Sequence, residues 1–189
     1  SSLNLTEKQI GQADEYINQI LKWNKTRNLV SRNLSKKDLA EHFLDCAVMQ
    51  RHLSPGSIID LGTGSGFPGV CLAIIDPNRE ITLVDSNRKK TSFLIHIKND
   101  LGLNMVSVKH ARLEEIGQIN ETNIVCRAFK EPTDLLKSLD NKISNKNKII
   151  LMVSAKETLS VPGFDIEYRE SEASKILEKK RGFLEIRLS

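Results

Sequence analysis

Apolar positions along this chain recur in two rhythms, and the change from one to the other marks its elements. Ile10, Ala13, Ile17, Ile20 and Leu21 fall at helical spacing behind Thr6-Glu7-Lys8-Gln9, a capping-box signature, and predict a helix through about Trp23. After a polar stretch at 24–33, Ser35 and Asp38 start a second helix. Its buried stripe is Leu39, Phe43, Ala47 and Val48, and it stops before Pro55-Gly56. From residue 57 onward, short apolar runs alternate with helical stretches. Ile58, Ile59 and Leu61 are apolar on both faces, as suits the centre of a parallel sheet covered on both sides. A turn with Gly62, Gly64, Gly66 and Gly69 follows, Pro68 fits the first turn of a helix, and a second apolar run ends at Asp85. That is one βαβ unit. Ser86 or Asn87 then caps a helix that turns Phe93, Leu94 and Ile97 to the sheet and ends near Gly102. Met105, Val106 and Val108 predict a third strand, residues 123–125 a short fourth, 132–139 a helix and 148–153 a fifth strand. Phe164, Ile166 and Tyr168, and later Phe183, Ile186 and Leu188, alternate as an antiparallel pair does.

This alternation predicts an α/β fold of the Rossmann-like kind: a mostly parallel sheet with helices on both faces, an antiparallel C-terminal strand pair and an N-terminal helical extension. Residues 1–55 form the extension, packed on a core of residues 56–189, in one compact domain overall. In such sheets ligands bind outside the carboxyl ends of the strands at the switch point. The loops at 60–67, 85–87, 111–114 and 126–129 therefore converge on one pocket.

The glycine turn can be parsed in two ways. Gly64, Gly66 and Gly69 spell G-x-G-x-x-G, the dinucleotide fingerprint, with Asp85 about 20 residues downstream to take ribose hydroxyls. Asp60, Gly62, Gly64 and Gly66 spell D-x-G-x-G-x-G, which resembles the first motif of S-adenosylmethionine-dependent methyltransferases. Asp60 favours the second parse, since a carboxylate at the strand's end suits the cationic amine of a methionine moiety and would repel a pyrophosphate. The plainer role for Asp60 is to cap the turn through its own backbone.

Composition narrows the classes without choosing among them. A chain of 189 residues, 39% hydrophobic and 28% charged, suits a single globular core. No apolar run approaches the roughly 20 residues needed to span a bilayer, and the start, SSLNLTEKQ, lacks the layout of a signal peptide. The expectation is a cytoplasmic protein, with no membrane partner. Cys46, Cys71 and Cys126 lack C-x-x-C spacing, and His42, His52, His96 and His110 lack metal-ligand pairing, so neither a disulfide framework nor a metal is expected. The net charge of +4 is modest. Its distribution says more: Lys22, Lys25, Arg27, Arg32, Lys36 and Lys37 crowd one region, Arg88, Lys89 and Lys90 follow Asp85, and Lys179, Lys180, Arg181 and Arg187 lie near the end. A substrate carrying phosphates fits that pattern.

Six stretches taken together narrow the resemblance. W-N-K-x-x-N-L-V at 23–30, H-F-L-D at 42–45, D-L-G-T-G-S-G-F-P-G at 60–69, L-V-D-S-N-R-K-K at 83–90, A-R-L-E-E at 111–115 and C-R-A-F at 126–129 occur in this order. In these the chain resembles the small-subunit ribosomal RNA guanine-N7 methyltransferase family, RsmG or GidB. The resemblance implies a class I methyltransferase acting on N7 of a guanine in 16S ribosomal RNA, bare or within its particle, with S-adenosylmethionine as cofactor and the protein a monomer. It implies cofactor contacts at Gly62, Phe67, Leu113, Glu114 and Arg127, with Asp85 at the end of the second strand on the ribose, joined by Asp60 and Gly64 from the turn itself. Arg127 could hold the methionine carboxylate or an RNA phosphate through two parallel bonds. Lys156 and Arg181 are further RNA contacts in the family manner, although Glu157 beside Lys156 weakens the local field. Phe129 and Trp23 are candidates for stacking on a splayed guanine. For each of these a structural role stands beside the functional one: Phe67 as core, Glu114 as a helix start, Arg127 paired to a surface acid.

No general base is apparent, and N7 chemistry asks for none, because guanine N7 carries no proton at neutral pH. The chain also lacks a D-P-P-Y motif of the amine-methylating kind. Cys126 stands where the family is expected to have serine; without a preceding proline it reads as a small buried thiol. The C-terminal third matches the family least. A nicotinamide-dependent oxidoreductase, using the G-x-G-x-x-G parse, and a non-catalytic nucleotide- or RNA-binding protein are the competing functional classes.

Overall fold

The computed structural model describes residues 4–31, 33–127, 129–154 and 159–189. Lys156 therefore lies outside the described residues. Helices α1 (Glu7–Arg27) and α2 (Lys36–Met49) come first, followed by strand β1 (Ile58–Leu61), helix α3 (Gly69–Ile75), β2 (Ile81–Asp85), α4 (Arg88–Asp100), β3 (Val106–His110) and β4 (Asn123–Arg127). Then come α5 (Pro132–Leu139), β5 (Lys148–Val153), β6 (Phe164–Glu170), α6 (Ala173–Leu177) and β7 (Gly182–Leu188). The strands form one seven-stranded sheet in the order β3-β2-β1-β4-β5-β7-β6. Strands β1 to β5 run parallel, while β7 lies antiparallel to both β5 and β6. The order reverses at β1, between β2 and β4, so the turn after β1 lies at the switch point.

Alternation along each strand divides the core into two layers. Ile58, Leu83, Val125 and Ile150 turn to one face, where α1, α2, α3 and α4 cover them. Ile59, Leu61, Val84, Ile124 and Ile149 turn to the other, against α5 and the loop carrying Leu113 and Ile116. Both N-terminal helices begin as the sequence predicts: Thr6 and Gln9 form a reciprocal capping box, as do Ser35 and Asp38. Helix α1 runs four residues past Trp23, because Lys25 and Arg27 in its last turn suit the negative helix end and Asn28 closes it in the left-handed conformation.

The extension is tied to the core by side chains that satisfy the open carbonyls of other helices. Gln9 donates to the carbonyls of Ile74 and Ile75 at the end of α3, at 3.0 and 2.8 Å, and Gln12 donates to that of Leu101 after α4 at 2.7 Å. Asn123, fully buried, holds the connecting segment by accepting from the Ser54 amide and donating to the Ser54 carbonyl.

Candidate cofactor and substrate site

The glycine turn is held from three sides. The Thr63 amide donates to the Val84 carbonyl at 3.0 Å, the Tyr16 hydroxyl of α1 donates to the Ser65 carbonyl at 2.9 Å, and the Gly64 amide donates to Asp85 Oδ2 at 2.9 Å. The other Asp85 oxygen accepts from the Asn87 amide at 2.8 Å, so one carboxylate joins the two turns that follow β1 and β2. Each oxygen keeps acceptor capacity beyond these bonds, which is what a pair of ribose hydroxyls would use. Asn87 caps α4 through the Lys89 and Lys90 amides, and Lys90 lies close to Gly64. The basic run at 88–90 thus borders the turn.

Asp60 works from beneath. It shares the face of Ile58, not that of Leu61, and is fully buried under the turn, where Oδ2 accepts from the Gly69 amide at 2.8 Å. Burial raises its pKa to about 7; the neighbouring Thr63 hydroxyl and the Gly69 amide oppose the rise, and Asp85 adds to it. Among the described residues, Asp60 Oδ1 and Thr63 Oγ1 make no hydrogen bond. The Thr63 hydroxyl lies beside this carboxylate, which is closed off from solvent and braces the turn from below.

Two cavities open at the carboxyl end of the sheet. The smaller, of about 290 Å³, is lined by Asp85, Ser86, Ala111, Leu113 and Glu114. The larger, of about 450 Å³, is lined by His42, Asp45, Arg127, Arg181 and Phe183 among others. Phe129 and Lys130 belong to both walls. The Phe129 ring packs directly on Gly62: a Cβ built there would come within 2.0 Å of a ring carbon, and Gly62 has a φ of +68° besides. Lys130 pairs with the Glu114 carboxylate at 3.2 Å. Glu114 titrates lower than usual, because of its own backbone amide and then Lys130.

Of the cofactor residues expected from the sequence, Asp85, Leu113 and Glu114 share the smaller cavity, with Gly62 and Gly64 on the adjoining turn. Arg127 lies elsewhere, on the wall of the larger cavity. Its Nη2 donates to His42 Nδ1 at 2.7 Å, and its guanidinium carbon lies 5.6 Å from the centre of the Phe67 ring. Phe67 itself is buried between Tyr16, His42 and Arg127 and lines neither cavity. Arg181 donates from Nε to Asp45 Oδ2 at 3.0 Å. Trp23 packs on Phe93 and His96 between α1 and α4, away from both cavities, whereas Phe129 faces them. Cys126 is buried, its thiol donating to the Leu61 carbonyl at 3.2 Å, and burial pushes its pKa up. That environment makes the thiol inert.

Three residues of the site carried no role in the sequence reading: His42, Asp45 and Lys130. The signal for the first two was present in H-F-L-D, since positions three apart on a helix share a face. Asp45 is 2% exposed and its carboxyl pKa is raised by burial; Oδ1 makes no hydrogen bond among the described residues. His42 titrates at about 4, lowered first by burial and then by the Arg127 and Arg181 charges. Among the described residues no three His, Cys, Asp or Glu side chains come together as a metal site would require, and no helix is long and apolar enough to cross a membrane.

Comparison with known proteins agrees with this architecture. Among solved structures, a SAM-dependent methyltransferase from Aquifex aeolicus is similar with a TM-score of 0.59 at 16% identity, covering 78% of this chain and 92% of that one. A mutant of MtNAS in complex with S-adenosylmethionine gives 0.64 at 14% identity, covering 97% and 73%. At such identities the likeness shows the fold. Sequence relatives carry more. Ribosomal RNA small subunit methyltransferase G of Nitrosomonas europaea is 43% identical over 115 residues, 60% of this chain and 54% of that protein. The protein of the same name from Halorhodospira halophila is 35% identical over 126 residues, 67% and 60%. That of Francisella tularensis is 33% identical over 168 residues, 89% of this chain and 77% of the relative. The chain thus spans 54 to 60% of the length of two of these relatives and about three quarters of the third. The model of the rRNA small subunit methyltransferase G family, GidB, matches residues 9–182, from the first turn of α1 to the start of β7, and with the glycine turn, Asp85 and Arg127 inside that span the chain belongs to this family.

Proposed function

We propose that the chain is an S-adenosylmethionine-dependent methyltransferase that methylates N7 of a guanine in small-subunit ribosomal RNA. The observation that carries the reading is the smaller cavity beside the glycine turn, where Asp85 offers acceptors for a ribose and Leu113 and Glu114 stand ready for an adenine edge. Family membership supplies the substrate class. When bound, S-adenosylmethionine would supply an electrophilic methyl group whose bond to sulfur breaks as the N7 lone pair takes it, leaving S-adenosylhomocysteine, and N7 has no proton to lose first. The chain's task is then to position and to exclude water, and orientation of this kind supplies roughly 7–11 kcal/mol in favourable cases. Gly62, Gly64, Asp60 and Asp85 hold the cofactor side. Arg127 and Arg181 line the larger cavity; Asp45 pairs with Arg181, and Arg127, which makes no ion pair among the described residues, keeps its charge for an oxyanion. The reading includes a cytoplasmic monomer that takes RNA or the ribosomal particle as substrate and needs no metal.

The test is methyl transfer to small-subunit particles and bare RNA from cells lacking the modification, followed by mass mapping of the methylated nucleotide. Calorimetry with S-adenosylhomocysteine and with NAD runs beside it. Binding of the first together with a methyl group on a guanine supports the reading. Binding of NAD alone points to an oxidoreductase, and cofactor binding with no transfer to either RNA form points to a binding protein on the same fold.

A further inference from the structure

Two guanidinium groups line the larger cavity, and they are held in opposite ways. Arg181 is matched by a buried carboxylate, Asp45, at 3.0 Å. Arg127 makes no ion pair among the described residues; its Nη2 is held at 2.7 Å by an imidazole nitrogen. Arginine has no acceptor, so His42 Nδ1 must be the unprotonated nitrogen and the ring's proton sits on Nε2. The Phe67 ring lies against the guanidinium and edge-on to His42, with centroids 6.0 Å apart, so the three groups form one packed unit. A carboxylate in place of His42 would orient Arg127 equally well but would cancel its charge. A neutral acceptor fixes the geometry and leaves the charge for a ligand.

We propose that His42 is the positioning residue for Arg127, holding the guanidinium against Phe67 so that it meets an oxyanion of the bound ligand in the larger cavity. The oxyanion is either the carboxylate of the cofactor's methionine moiety or a phosphate of the RNA, and this inference rests on the proposed function. The charged groups around His42 are Asp38, Glu41 and Asp45 on its own helix, Arg127 on β4 and Arg181 just before β7, with Asp45 taken up by Arg181; burial and the two arginines prevail, so the ring stays neutral across the physiological range.

The test uses His42→Asn, whose amide oxygen sits where Nδ1 does and can accept the same bond, and His42→Leu, which cannot. The expected result is a loss of at least tenfold in kcat/KM for His42→Leu, recovery to within about threefold of wild type for His42→Asn, and no added loss when His42→Leu is placed on Arg127→Met. If the oxyanion is the carboxylate, His42→Leu weakens S-adenosylhomocysteine but not 5′-methylthioadenosine, which lacks that group. If it is a phosphate, cofactor binding is unchanged and the KM for RNA rises. Equal impairment of both His42 variants, no impairment, or full additivity with Arg127→Met would overturn the proposal. Nitrogen NMR of His42 decides it without turnover: the wild-type ring should be the Nε2–H tautomer with a midpoint near 4, which rises in Arg127→Met while burial and Arg181 still hold it below 6.5. A wild-type midpoint near 6.5, or a proton on Nδ1, also overturns it. A wild-type chain that neither binds S-adenosylhomocysteine nor methylates RNA refutes the proposed function instead, and the NMR result still decides the pairing.

Discussion

Asp60→Asn removes a buried ionisable group from beneath the glycine turn while leaving an oxygen to accept the Gly69 amide. The carboxyl pKa is raised from 3.8 to about 7, first of all by burial. The sign follows from linkage. Below about pH 4 the group is protonated in both folded and unfolded chains and contributes nothing. Between about 4 and 7 the unfolded chain releases the proton and the folded chain keeps it, so stability falls as pH rises. Above about 7 both are ionised and the loss is constant. A difference of roughly three pH units, at about 1.4 kcal/mol each, sets a ceiling of about 4 kcal/mol. Urea denaturation of wild type and Asp60→Asn from pH 4.5 to 8.5 should therefore show the variant gaining on wild type by up to that amount as pH rises, nearly all of it by pH 8. The site adds a second expectation. Asp60 braces the turn from below and lines neither cavity, so Asp60→Asn should leave proton uptake or release on S-adenosylhomocysteine binding at pH 6.5 as in wild type, measured by calorimetry in buffers of different ionisation heat. A stability difference that stays flat across this range would refute the reasoning.

Gly62→Ala puts a methyl group into the Phe129 ring at a φ of +68°; thermal melting should show a loss of at least roughly 1–2 kcal/mol from the backbone alone, and S-adenosylhomocysteine affinity should fall at least tenfold. Asp85→Ala strips the acceptor from the Gly64 and Asn87 amides, at roughly 1–3 kcal/mol for each one left unsatisfied. Urea denaturation should show that loss, and cofactor binding should fall below detection. Phe129→Ala clears the ring from Gly62 and joins the two cavities; S-adenosylhomocysteine should bind several-fold tighter while methyl transfer slows, and unchanged affinity would show that the ring does not compete with the cofactor.

Much of the fold was legible because its signals are local. The capping boxes at Thr6 and Ser35, the Asn87 cap and the runs at 58–61 and 148–153 each rest on a few neighbouring residues, and the structure keeps them. Helix α6 was not legible, since Ala173–Leu177 is too short for a helical period to show. The direction of Asp60 was harder to read for a different reason. In a strand apolar on both faces, the period of two carries no contrast between a covered face and an open one. Asp60 sits with Ile58 on the side covered by α1 to α4, so the turn, and not the cleft wall, receives its carboxylate.

The same alternation accounts for Arg127. It follows Val125 by two residues, and Val125 faces the layer made by the N-terminal helices, so the guanidinium meets His42 from α2 and not Leu113 or Glu114 from the opposite face. The larger cavity thus takes one wall from the sheet and another from the extension: His42 and Asp45 lie one helical turn apart, each holding one of the two arginines. Tyr16 adds the bond to Ser65 that fixes the glycine turn. Helices α1 and α2 therefore build the site from within, and a substitution in either that faces this layer should alter binding even though the glycine turn and Asp85 are untouched.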